Sequence, residues 1–196
     1  MKIILATQNK GKLNEFTKIL SHQKSTLEFE LKPLSEDIGE IQETGKTYLE
    51  NALVKANKVF SCYRQPVLSD DSGLELINFD NIPGLFSARY AGENATDSDN
   101  RIKLKDLLIN NSISSTPARY RCILVYKPNE KEYFSFESTW EGRIVLNKEE
   151  VSGFGYDTMF IPNSFECTAD KLSDVEKSKF SHRAEAVRKL IEFLGR

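Results

Sequence analysis

At 196 residues, with 39% apolar and 29% charged side chains, the chain can bury a sizeable core, as one large domain or as two small lobes. Lysine and arginine number 27 against 29 aspartate and glutamate, a formal net charge of −2 at pH 7, which argues against a general nucleic-acid binder but leaves room for a local basic pocket. No apolar run approaches the ~20 residues that a membrane helix needs, so no membrane partner is expected.

The start, Met1-Lys2-Ile3-Ile4-Leu5-Ala6, is too short an apolar run for a signal peptide. The three cysteines, Cys62, Cys122 and Cys167, are odd in number and show no close metal spacing. A reduced, cytoplasmic protein whose thiols act as small hydrophobes is the expectation, with a redox or nucleophilic thiol as the alternative.

Lys2 to Ala6 suits a central strand. Thr7-Gln8-Asn9-Lys10-Gly11-Lys12 follows, and then Leu13, Phe16, Ile19 and Leu20 recur at helical spacing. Backbone N–H groups at a helix start, helped by lysines, make a site for phosphate; a plain capped helix fits the same residues. The glycine spacing and the Gly-Lys-Ser/Thr ending of a Walker A loop are absent. Lys12 and Glu15 fall on one helix face, either as a surface ion pair or as a phosphate lysine beside a metal-side carboxylate. Ser21 to Ser25 reads as a polar turn, Leu27 to Leu31 as a half-exposed strand and Pro33 to Glu40 as irregular and acidic. Thr47 and Glu50 then have capping-box spacing, ahead of a helix with a stripe of Leu49, Ala52, Leu53, Ala56, Val59 and Phe60. Glu43, just before that helix, is a metal ligand or a solvated loop acid.

Pro66-Val67-Leu68 reads as a strand end and Leu74 to Ile77 as a second strand, so Ser69-Asp70-Asp71-Ser72-Gly73 is expected on a turn between them, with Gly73 free to take positive φ. Paired carboxylates at a strand end suit Mg²⁺, which takes one or two carboxylates plus substrate phosphates. An Asx turn bonded to local backbone is the alternative. Asn81-Ile82-Pro83-Gly84 marks a tight turn, and Ser87-Ala88-Arg89-Tyr90-Ala91-Gly92 follows it. Thr96 with Asp99 starts a helix bearing Ile102, Leu104, Leu107 and Leu108; Asn110 to Pro117 is a loop and the candidate hinge or lobe boundary.

Tyr120 to Tyr126 and Glu132 to Trp140 read as strands joined by a turn at Lys127-Pro128-Asn129-Glu130, with a further strand from Glu141 to Leu146 after a break at Gly142. In Ser152-Gly153-Phe154-Gly155-Tyr156-Asp157 two glycines bracket an aromatic, which lets backbone approach a flat ligand or simply packs a hairpin. Ser173 with Glu176 opens a short helical turn through Lys177. Ser181-His182-Arg183 caps a last helix with a buried face of Ala184, Val187, Leu190, Ile191 and Leu194; here His182 and Arg183 read as exposed capping charges unless a ligand claims them. Helices alternate with strands early and a run of strands follows, which predicts a mixed α/β protein with a long twisted sheet.

Thr7-x-Asn9-x-x-Lys12-x-x-Glu15, Glu43-Thr44-Gly45, Ser69 to Leu74, Pro83-Gly84-x-x-Ser87-Ala88-Arg89-Tyr90, Gly153 to Asp157, and Lys177 with Ser181-His182-Arg183 occur in one order. Together they resemble the inosine triphosphatase family, over essentially the whole chain. The resemblance implies an α/β fold, a single domain over 1–196 that is elongated and two-lobed with a substrate cleft between the lobes, and a homodimer. It implies Mg²⁺-dependent hydrolysis of the purine nucleoside triphosphates dITP, ITP and XTP to monophosphate and pyrophosphate, which keeps them out of DNA and RNA. It makes Thr7, Gln8, Asn9, Lys10, Gly11 and Lys12 the triphosphate site. It makes Asp71 the general base and a Mg²⁺ ligand, with Glu43 a second ligand. Ser72, Phe154, Gly155, Tyr156, Asp157, Lys177, His182 and Arg183 would contact substrate, the later ones at the base. Two positions depart from the family pattern: Thr158 stands where Pro is usual, and Gln42 where many members carry a second acid. A general nucleotide pyrophosphatase or phosphatase, and a nucleotide-binding or nucleic-acid-binding module without turnover, are the rival classes.

Overall fold

The run Ile3-Ile4-Leu5 forms β1 (Lys2–Leu5), and all three side chains are buried. β1 runs parallel to β2 (Glu30–Lys32) and to β3 (Val67–Leu76), with Ile4 beside Val67 and Leu5 beside Leu68. Parallel neighbours need crossovers, and α1 (Lys10–His22) and α2 (Tyr48–Tyr63) lie in those connections. β4 (Ser115–Lys127), β5 (Phe134–Val145) and β6 (Phe160–Pro162) complete the sheet in the order β2-β1-β3-β4-β5-β6, with β5 and β6 antiparallel. α3 (Asp97–Asn110), α4 (Asp174–Phe180) and α5 (His182–Leu194) are the remaining α-helices among the described residues. The fold is therefore the mixed α/β type that the order of elements predicts. The structure, a computed structural model, describes residues 2–23, 30–32, 38–39, 41–146 and 153–195. Most of the expected strand from Leu27, most of the irregular Pro33 to Glu40 stretch, and Ser152 lie outside them. Among the described residues no helix is long and apolar enough to cross a membrane.

Two compact units divide the chain: residues 1–71, 122–138 and 174–196, and residues 72–121 and 139–173. β3, β4 and β5 each give residues to both. In the first unit Ile3, Leu5, Phe16, Ile19, Leu68, Leu124, Ala184, Val187 and Leu190 form one buried cluster. In the second, Leu74, Leu76, Leu104, Leu108, Trp140 and Phe160 form another, with the Phe160 ring 4.9 Å from Tyr120 and 5.4 Å from Trp140 in edge-on contacts. Each such side chain contributes about 1.5–3 kcal/mol on burial.

Four expectations are corrected. Ser69 to Gly73 is not a turn: β3 runs unbroken through it, and Gly73 is not among the residues at positive φ. These polar residues read as a turn because their partners are distant in sequence, as when Ser69 Oγ donates to Ala52 O of α2 at 2.7 Å. Ser21 and His22 are the last turn of α1, not a loop, and Ser21 Oγ donates back to Lys18 O. β5 does not break at Gly142; a Cβ there would meet the Phe160 ring at 2.7 Å, so the glycine admits a close partner rather than a bend. Asn110 to Pro117 lies wholly inside the second unit and ends in β4, so the chain passes between units elsewhere.

Candidate active site

In the first unit the site starts at the end of β1. Asn9 caps α1, its Oδ1 accepting from Lys12 N at 3.0 Å, while Asn9 N donates to Thr7 Oγ1 at 3.2 Å and Gln8 Nε2 donates to Gly39 O at 3.0 Å. Among the described residues the N–H groups of Lys10 and Gly11 meet no acceptor. The loop thus presents donors at the positive end of a helix, a setting that favours an anion.

Asp70 and Asp71 stand on adjacent residues of β3 and so leave the strand on opposite faces. Asp71 is 5% exposed, and its Oδ2 accepts from Asn51 Nδ2 at 3.0 Å. Asn51 Oδ1 in turn accepts from Gly45 N at 2.8 Å; a Cβ on Gly45 would press on Asn51, so this residue must lack one. One amide thereby ties the Glu43 loop to β3. Lys55, one turn further along α2, lies 2.5 Å from Glu43 Oε1 and 3.7 Å from Asp71 Oδ1. Burial pushes the Asp71 carboxyl above its usual range, against the pull of the Lys55 and Lys12 cations. Burial would lower Lys55, but the Asp71 and Glu43 carboxylates reverse that and hold it charged. A carboxylate raised in basicity, fixed by an amide and set beside a cation, can accept a proton.

Asp70 is 1% exposed and lies 3.0 Å from Lys12 Nζ and 3.4 Å from Arg183 Nε. Burial alone would raise its pKa; Lys12, Arg183 and Lys55 overcome that and hold it well below the usual carboxylate range. Arg183 NH1 also donates to Glu15 Oε2 at 2.6 Å, which joins α5, β3 and α1 in one buried charge network. The two acids therefore have opposite environments: Asp70 is locked as an anion, while Asp71 is poised to take a proton. Ser181 caps α5, its hydroxyl accepting from Ala184 N, and His182 O accepts from Ser138 Oγ at 2.6 Å.

His182 is 4% exposed, not the exposed cap that its sequence suggests, and burial with the neighbouring Arg183 cation pushes its pKa well below 6.5. Below pH 6.5 the unfolded chain takes up a proton that folded His182 refuses, so this group lowers stability as pH falls. We expect the unfolding free energy to drop by up to about 1.4 kcal/mol per pH unit on this account below pH 6.5. Urea titrations of wild type and His182→Asn at pH 6.5 and 5.5 check this. Equal changes in both proteins would contradict it.

In the second unit the Gly153 to Asp157 turn is held from several sides. Gly155 is at φ +54°. Its N–H donates to Asp97 Oδ2 at 2.7 Å, and Arg101 NH1 donates to Gly153 O at 3.0 Å and Gly155 O at 2.7 Å. Tyr120 OH donates to Asp157 Oδ1 at 2.9 Å and Tyr156 OH to Ser87 O at 2.8 Å. Asn100 binds Ala88 O and Ala91 N, so α3 supports the Ser87 to Ala91 segment as well. Phe154 remains 38% exposed, an aromatic ring offered to solvent. Thr158, which follows this turn, is buried.

The first unit therefore brings together Thr7 to Lys12, Glu43, Asp71, Lys177, His182 and Arg183, and the second holds Ser72 and Phe154 to Asp157. Lys177 is on α4, where its carbonyl accepts from Ser181 N and its charge further lowers the His182 pKa. Ser72 is half-buried on β3. Sequence reading missed Asn51, Lys55, Asn100 and Arg101, all buried on helices, because it searched helical faces for apolar residues. Of the apolar residues read along α3, Leu104 and Leu108 are buried, while Ile102 is 45% exposed. The signal was the spacing: Asn51 and Lys55 are four apart, in register with Tyr48, Ala52 and Ala56.

The sequence profile of the Ham1 family matches residues 3–193. The dITP/XTP pyrophosphatase of Malacoplasma penetrans is 52% identical over 99% of this chain and 98% of its own. Among solved structures, a Ham1 protein from Coxiella burnetii superposes with a TM-score of 0.85 at 36% identity, over 100% of this chain and 98% of that one. The Staphylococcus aureus Ham1 protein gives 0.81 at 34%, over 100% and 98%.

Proposed function

The chain belongs to the Ham1 family, and on that footing we propose that it is a pyrophosphatase of non-canonical purine nucleoside triphosphates. It hydrolyses dITP, ITP and XTP to the monophosphate and pyrophosphate and so cleanses the nucleotide pool. The observation that carries the reading is the Asp71 carboxylate, raised in basicity by burial, oriented by Asn51 and set beside Lys55. Asp71 is the base for the attacking water. Thr7 to Lys12 take the triphosphate, whose negative charge the Lys10 and Gly11 N–H groups and the Lys12 ammonium offset. Phe154 stacks on the purine, a contact worth about 1–3 kcal/mol. Gly155, Tyr156 and Asp157 line the same base, with Ser72, Lys177 and His182 as further contacts. Arg183, bound to Glu15 and Asp70, acts through the carboxylates it holds.

The metal is Mg²⁺, with Asp71 and Glu43 as its protein ligands. The donor set fits. Both carboxylates already converge on one cation, the Lys55 ammonium. Among the described residues no three His, Cys, Asp or Glu side chains gather as a metal site, and Mg²⁺ needs only one or two carboxylates when substrate phosphates and water complete its shell. When bound, Mg²⁺ supplies charge stabilisation on the phosphate oxygens. The protein acts as a cytoplasmic homodimer.

One experiment tests the assignment: a nucleotide panel with Mg²⁺, scored for product, run in ¹⁸O-water. We expect pyrophosphate from dITP and XTP, label in the monophosphate, and dATP at least tenfold poorer in kcat/KM. Adenine lacks both the 6-oxo acceptor and the N1–H donor, and each unpaired buried group costs about 1–3 kcal/mol. Release of single phosphate would place the protein in another enzyme class. Comparable rates with dATP would make it a general nucleotide pyrophosphatase.

A further inference from the structure

We infer that Asp97, Arg101 and Tyr120 are positioning residues that hold the Gly153 to Asp157 turn in its base-binding shape. This rests on the reading that Phe154 and Asp157 take the purine. A turn with two glycines has much backbone freedom to lose, and any freedom left in the free protein is lost on binding. One local bond closes the turn, Asp157 N to Phe154 O at 3.2 Å; the grip on Gly153 O, on both sides of Gly155 and on the Asp157 carboxylate comes from other elements.

Asp97 and Arg101 are four apart in the first turns of α3 and so share a face. Between them they take hold of both sides of Gly155: its N–H goes to Asp97 Oδ2 and its carbonyl to Arg101 NH1. The same NH1 reaches Gly153 O, so one guanidinium nitrogen spans the residue between, Phe154, and fixes the backbone on either side of the stacking ring. Arg101 is 7% exposed, and a charged donor at such a site is fixed by its acceptors rather than left to sample rotamers.

Tyr120 works on the other end of the turn. It is 8% exposed, wedged edge-on against Phe160, and its hydroxyl donates to Asp157 Oδ1. Burial and the Asp157 charge hold the phenol protonated, so it serves only as donor to that carboxylate. None of the three side chains belongs to the triphosphate loop or to the Asp71 network. Their contribution should therefore appear in nucleotide binding and leave the chemical step alone.

The test uses Tyr120→Phe, Arg101→Met, Arg101→Lys and, as the control for the base site, Phe154→Ala. Each is assayed for kcat and KM with dITP and for the inhibition constant of inorganic triphosphate, which has phosphates but no base. For Tyr120→Phe and Arg101→Met we expect KM to rise about tenfold, the factor that one charge-assisted hydrogen bond represents. We expect kcat and the triphosphate constant to stay within twofold. Arg101→Lys should recover part of the loss, because its ammonium still donates to one carbonyl. If Phe154→Ala raises KM while Tyr120→Phe and Arg101→Met leave it unchanged, the positioning role falls and the base site stands. If KM and the triphosphate constant rise together, the residues serve the fold alone. If Phe154→Ala leaves KM unchanged, the base site itself is misassigned and the inference goes with it.

Discussion

Asp71→Asn should lower kcat for dITP by a factor of about 10²–10⁴, the usual loss when a positioned base is removed. The substitution keeps the shape of the side chain and can still accept from Asn51 Nδ2 by presenting its own carbonyl oxygen, so β3 has no reason to rearrange. What goes is the negative charge. Asparagine cannot take a proton from water, and it weakens the site for Mg²⁺. Lys55 keeps its contact with Glu43 at 2.5 Å and so does not become an orphaned cation. Circular dichroism and the melting transition should therefore match wild type. Turnover near wild type would make Asp71 a structural residue of the strand.

Much of the architecture was legible because it depends on local pattern. Ile3 to Leu5 announced a buried strand, Thr96 with Asp99 a helix start, and Thr47 with Glu50 a capping box, of which one half forms: Thr47 Oγ1 accepts from Glu50 N, while Glu50 Oε2 accepts from Lys46 N instead of Thr47 N. The reading failed where a residue's character comes from distant partners. Ser69 to Gly73 has turn composition, yet it is central strand, because α2, α1 and α5 bring Ala52 O, Asn51, Lys12 and Arg183 to its polar side chains. Gly142 looked like a break because the Phe160 ring that fills its space lies far along the chain. The site divides in the same way. Asp71, Glu43 and the Thr7 to Lys12 loop are residue types whose chemistry shows in their identity. Asn51, Arg101 and Tyr120 act through bonds that only the folded chain creates, and each looks like an ordinary helix or strand residue.

Arg183 shows how far that dependence goes, and Arg183→Met should destabilise the protein by about 3–5 kcal/mol, the cost of removing one partner from a buried ion pair. Its side chain is 7% exposed and serves two carboxylates, Glu15 at 2.6 Å and Asp70 at 3.4 Å. Methionine fills similar volume, so the loss reports charge rather than a cavity. Asp70 keeps Lys12 at 3.0 Å but loses the guanidinium that helps hold it ionised. Against the ~5–15 kcal/mol that stabilises an ordinary domain this is a large fraction, and it should move the urea midpoint by about 1–3 M. The pH dependence separates this from a packing defect. The depressed pKa of Asp70 gives stability above pH 3.8, its ordinary value, that is lost as pH falls. With Arg183 gone less of that stability exists to lose, so the gap between wild type and variant should narrow as pH drops through the carboxylate range. Arg183→Lys should fall between the two, since one ammonium cannot reach both acids with the planar reach of a guanidinium. A loss below about 1 kcal/mol, or a gap that does not change with pH, would mean that the network contributes little to folding.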